Sequence, residues 1–130
     1  MKNTLAATLV AASALIVTAV QAATPEVEAL LQAAQKEGAV YSVGMPNTWA
    51  NWVKTWSDLQ TKYKIKTQDT DMASAEQISK FMAEGENATS DIGDVGFEFG
   101  EIAKKRGITM PYKPSTWDQI PGWAKDPDGH

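Results

Sequence analysis

Asp69, Asp71, Asp91 and Asp94 are the side chains of this sequence best suited to chemistry. Grouped carboxylates can hold a hard cation through oxygen ligands. Beside an aromatic face such as Trp49 they can instead hold an organic cation such as a polyamine, the ring adding cation–π attraction. The plainer reading makes Asp69 and Asp71 solvated turn residues and Asp91 the opening of a strand. Asp94 and Glu98 stand four apart and could form a carboxylate pair for acid–base work. A strand-ending aspartate followed by a helix-starting glutamate explains the same pattern more simply. His130 is the only histidine, and there is no cysteine. That leaves no histidine-based triad, no zinc set and no thiolate nucleophile. No metal site, cofactor or enzymatic activity is expected. What remains is hydrogen bonding from Asn47, Thr48 and Ser74, stacking on Trp49, and the carboxylate of Asp71.

These residues need elements to bring them together, and the hydrophobic period supplies them. Thr24-Pro25 opens a helix with a cap and a first-turn proline; Val27, Leu30, Leu31 and Ala34 follow at helical spacing up to Gly38. Ala39 to Val43 reads as a buried strand. A second helix is expected from about Thr48, with Trp49, Trp52, Val53, Trp56, Leu59 and Tyr63 as its apolar stripe. Lys64 to Asp69 reads as a second strand, with Lys62, Lys64 and Lys66 on one solvated face. Ser74-Ala75-Glu76-Gln77 reads as a capping box opening a third helix. Asp91 to Val95 reads as a third strand, and Glu98 to Arg106 as a fourth helix whose acidic start and basic end suit the helix dipole. Strand and helix alternating in this way predict an α/β fold, a parallel sheet with crossover helices. In such sheets ligands lie beyond the carboxyl ends of the strands. That rule gathers Asn47, Thr48 and Trp49 after the first strand, Asp71 and Ser74 after the second, and Gly96 and Phe97 after the third. Helix capping is the simpler role for Thr48 and Ser74, and core packing for Trp52 and Trp56. Asn87-Ala88-Thr89 matches a glycosylation sequon and reads as a chance match.

The charge balance narrows the partners. Sixteen acidic against twelve basic residues give a net charge of −4, which argues against a nucleic-acid partner. Lys2 followed by an uncharged apolar run from Leu5 to Val20, ending Val20-Gln21-Ala22, has the form of a secretory signal cleaved after Ala22. The run is shorter than the ~20 residues that span a bilayer. The mature chain, Ala23 to His130, is therefore expected in a periplasmic or extracellular space, not itself membrane-spanning.

Four segments together have a familiar order. Leu30 to Ser42, with its Lys36-Glu37-Gly38 turn before a strand, resembles the opening of mature solute-binding proteins of ABC importers, in the family of the iron(III), polyamine and thiamine binders. Ser90-Asp91-Ile92-Gly93-Asp94-Val95-Gly96 resembles that family's third strand. Thr116-Trp117-Asp118-Gln119-Ile120-Pro121 and Asp126-Pro127-Asp128-Gly129 resemble the segments leading to the next strand. The resemblance implies a two-lobe, type II-like periplasmic-binding-protein fold, of which residues 23–130 would be part of lobe one. It implies capture of a small solute (a polyamine, an iron(III) complex, a thiamine-like or other molecule) and delivery to an ABC permease. One lobe alone is expected to bind weakly or not at all. The alternatives are a complete small secreted α/β interaction module and, on Asp94 and Glu98, an acid–base hydrolase.

Overall fold

The computed structural model describes residues 24–130; the expected signal segment, 1–22, lies outside them. Helix α1, Pro25–Glu37, starts as its sequence dictates: the Thr24 hydroxyl accepts from the Val27 amide and Pro25 takes the first turn. Gly38 ends it at a φ of 83°, the left-handed conformation that glycine adopts without a Cβ penalty. Strand β1, Ala39–Val43, then leads to α2, Trp52–Lys62, and β2, Lys66–Thr70. Helix α3, Ser74–Glu84, is followed by a short β3, Ile92–Gly93, and by α4, Phe97–Lys105. Beyond α4 the chain runs through two single-turn 3₁₀ helices, Trp117–Gln119 and Gly122–Ala124.

The three strands form one parallel sheet in the order β2-β1-β3. The mixed α/β architecture expected from the alternating pattern is present. Gln60 of α2 bonds Thr67 of β2, while Gln77 and Phe81 of α3 lie against Gly93 and Val43. Thr67 pairs with Val40, whose side chain points opposite to that of Val43, so the two helices cover opposite faces. The buried apolar residues are Val43, Met45, Trp56, Ile65, Ile78 and Ala103. Trp56 stacks on Trp52 with ring centroids 5.6 Å apart and donates its indole N–H to the Met45 carbonyl at 2.9 Å. One indole thus joins the α2 face to the loop after β1.

Four local expectations need correction. The second helix begins at Trp52, not Thr48, because Ala50 and Asn51 take left-handed φ values of 45° and 59° that helix geometry does not admit. Lys62, Lys64 and Lys66 do not share a strand face: Lys62 belongs to α2, Lys64 turns the chain at a φ of 62°, and only Lys66 is in β2. The expected capping box does not form; only half of one is present, one residue earlier. Ala73 is the cap, and Glu76 reaches back to its amide at 2.9 Å, which frees the Ser74 hydroxyl for another partner. The third strand is confined to Ile92–Gly93. The Asp126–Gly129 turn is tied back to the segment after α4, the Tyr112 amide donating to the Gly129 carbonyl at 2.8 Å.

Two ionic clusters hold the periphery. Glu84 accepts from Lys80 and from the Thr89 amide and hydroxyl, and these bonds hold its carboxyl down at about 2. Lys104 bridges Asp126, at 2.9 Å, and Asp128, at 2.7 Å, pinning α4 to the last turn. Its ammonium, and the amides of Asp128 and His130, hold Asp126 at about 2 as well. Both carboxyls are more acidic folded than unfolded, so the unfolded chain takes up protons first as pH falls. Their stabilisation is complete above the ordinary carboxyl range and is lost as pH drops towards 2. The midpoint of urea unfolding is expected to be flat from pH 7 to 5 and to fall between pH 4 and 2. Asp126→Asn and Glu84→Gln should each flatten that fall.

Candidate functional site

The site is built where the strand order reverses. β1 leads to β2 on one side and β3 lies on the other, the reversal of strand order beside which ligands lie in open parallel sheets. Asp69, expected as a solvated turn residue or a ligand, has an internal task. Its Oδ1 accepts from the Ser42 hydroxyl at 2.6 Å and from the Met45 amide at 3.0 Å, so it fixes the loop after β1 against β2. Asp91 is likewise engaged, accepting from the Tyr41 amide at 2.8 Å beside β3.

The other expected residues divide into three groups. Asn47 and Asp71 line a cleft of about 540 Å³ together with Asp69, Trp56 and Thr67. Ser74 and Gly96 meet: the Ser74 hydroxyl accepts from the Gly96 amide at 3.0 Å, joining the start of α3 to the loop after β3. Phe97 is 91% exposed and, with Gly96, lines a second cleft of about 460 Å³ whose far wall is Trp117, Ile120 and Trp123. Thr48 and Trp49 stand outside both clefts, on the turn before α2, with Trp49 exposed. The turn conformation at Ala50 and Asn51 separates them from the helix that was expected to hold them beyond the strand end.

Sequence reasoning missed two features. The second cleft is closed by the irregular segment after Pro114, where no hydrophobic period could announce it. Lys125 and Lys113 lie over the Trp117 ring at 4.9 and 5.5 Å, and Lys125 also donates to the Trp117 carbonyl, which holds that wall in place. The second feature is Gln77, read as part of a capping box and found 1% exposed between the segments after β2 and β3. A glutamine at helical spacing within an apolar stripe (Ile78, Phe81, Met82) was the available signal.

The described residues contain no group of three His, Asp or Glu side chains placed to hold a metal ion. No described helix is long and apolar enough to cross a membrane. No family model and no curated protein matches the chain.

Proposed function

We propose that this protein is a solute-binding component of an ABC importer, and that the described residues form the strand-end wall of its first lobe. One observation carries the reading: a parallel sheet ordered β2-β1-β3, an arrangement in which ligands lie beyond the carboxyl ends of the strands, where Asn47, Asp71, Ser74, Gly96 and Phe97 follow the three strands in the chain. The resemblance of Leu30–Ser42 and Ser90–Gly96 to the iron(III), polyamine and thiamine binders supports it. In the proposed cycle the exported protein takes a small solute between this lobe and a second one. The solute favours the closed state because it touches both walls, and the closed form is what a permease would receive. The first lobe supplies amide and hydroxyl donors, the Asp71 carboxylate and an aromatic surface, a set that suits a polar or cationic organic solute with a flat face.

A single wall cannot recover the free energy of closure. Calorimetric titration of the chain with a polyamine, thiamine and iron(III) citrate is expected to show saturable binding to at least one, weaker than about 1 μM. Submicromolar affinity would contradict the one-lobe arrangement. Absence of saturable binding to all three would count against this family of solutes.

A further inference from the structure

We propose that Gln77 is the positioning residue of the strand-end site, its buried carboxamide fixing the loops after β1, β2 and β3 relative to one another. The Nε2 group donates to the Met72 carbonyl, after β2, at 3.0 Å and to the Asp94 carbonyl, after β3, at 2.7 Å. The same amide occupies the space that a side chain at Gly44, after β1, would fill. One planar group therefore touches all three loops that carry the expected binding residues. Its orientation is not ambiguous, since only the NH₂ side can face two carbonyls.

Two glycines are shaped around it. A Cβ at Gly44 would overlap Nε2, and a Cβ at Gly93 would stand 2.6 Å from Oε1. The Oε1 atom is buried and accepts no hydrogen bond from the protein. Leaving an acceptor bare in the interior is unfavourable, and methionine would fill a similar volume without that cost. Glutamine gives this position the two N–H bonds that methionine cannot make, and those bonds run to the loops rather than within α3. Loop order follows from these contacts alone; the link to solute capture rests on the function proposed above.

Hydrogen exchange in Gln77→Met and Gln77→Glu tests the assignment. The amides to follow are Gly44, Met45, Asp94 and Gly96, each bonded across the rim, with Arg106 in α4 as the remote reference. Gln77→Met is expected to speed exchange at the rim by about tenfold or more while Arg106 keeps its rate, the pattern of local rather than global opening. Gln77→Glu should speed the same amides, relative to the unchanged chain, when ionised, and lose that excess as pH is lowered and the carboxyl gains a proton to donate. Relief of a buried charge contributes to that recovery, so Gln77→Met, which fills the volume with neither charge nor donors, is the variant that isolates the two N–H bonds. Rim exchange unchanged in Gln77→Met overturns the proposal. Should that variant fail to fold, a rim excess in Gln77→Glu that does not change between pH 8 and 4 overturns it equally. If the rim loosens in both variants but solute titrations are unaffected, Gln77 is not positioning a binding site, and the solute reading fails at this rim while the loop-ordering result stands.

Discussion

Replacing Trp56 by alanine is expected to remove a large part of the stability of this fold. The side chain is 8% exposed, stacks on Trp52 and donates to the Met45 carbonyl, so truncation leaves a large cavity and an unpaired carbonyl together. Aromatic-to-alanine changes in cores cost about 3–5 kcal/mol. Domains of this size are stable by only about 5–15 kcal/mol in total. The melting temperature of Trp56→Ala should therefore fall by at least about 12 °C. Trp56→Phe keeps most of the packing and loses the hydrogen bond, and should fall much less. A change below about 4 °C in the alanine variant would contradict the assignment of Trp56 to the centre of the core.

Gly44→Ala is the second change with a large expected effect, for two separate reasons. The backbone there has a φ of 68°, which costs an ordinary residue about 1–2 kcal/mol. The new methyl would also overlap the Gln77 amide and stand 2.9 Å from the Met72 carbonyl. Overpacking of that kind adds about 1–3 kcal/mol, so a total above about 2 kcal/mol is expected in urea unfolding. The two terms separate in a double variant. Gly44→Ala with Gln77→Ala removes the overlap with the amide but keeps the backbone cost, so the pair should be less destabilised than the sum of the singles. Strict additivity would show that Gln77 does not meet the loop after β1 as described.

How much of this was legible in the sequence follows from what each signal can carry. Periodicity over α1 and α4 was strong because caps, charge and apolar spacing agree there: Thr24-Pro25 and Gly38 bracket one helix, and Glu98 with Lys104 and Lys105 polarise the other. The parallel sheet followed from alternation of element types. The start of α2 did not, since nothing in the spacing of Trp49, Trp52 and Trp56 reveals that Ala50 and Asn51 turn left-handed. Ser74 and Gln77 show a second limit. Glu76 can reach back to a cap at Ala73, or Gln77 to a cap at Ser74, and only tertiary contact decides which. Once Ser74 bonds Gly96 and Gln77 bonds Asp94, both are committed to residues about twenty positions away. Local patterns do not encode partners at that separation. The cleft wall at Trp117 and Trp123 was hidden for the same reason, being an irregular segment held by Lys104, Lys113 and Lys125 rather than by any period.

The carboxyl-end rim of this sheet is proposed as a solute-binding wall. Amide chemical-shift mapping of the ¹⁵N-labelled chain, titrated to saturation with thiamine and with a polyamine, tests it most directly. The predicted result is a set of shifts concentrated at Asn47, Asp71, Ser74, Gly96 and Phe97, with the exposed mid-strand pair Tyr41 and Gln68 unmoved. Shifts centred on Tyr41 and Gln68, or spread evenly over the surface with the rim unaffected, would contradict it.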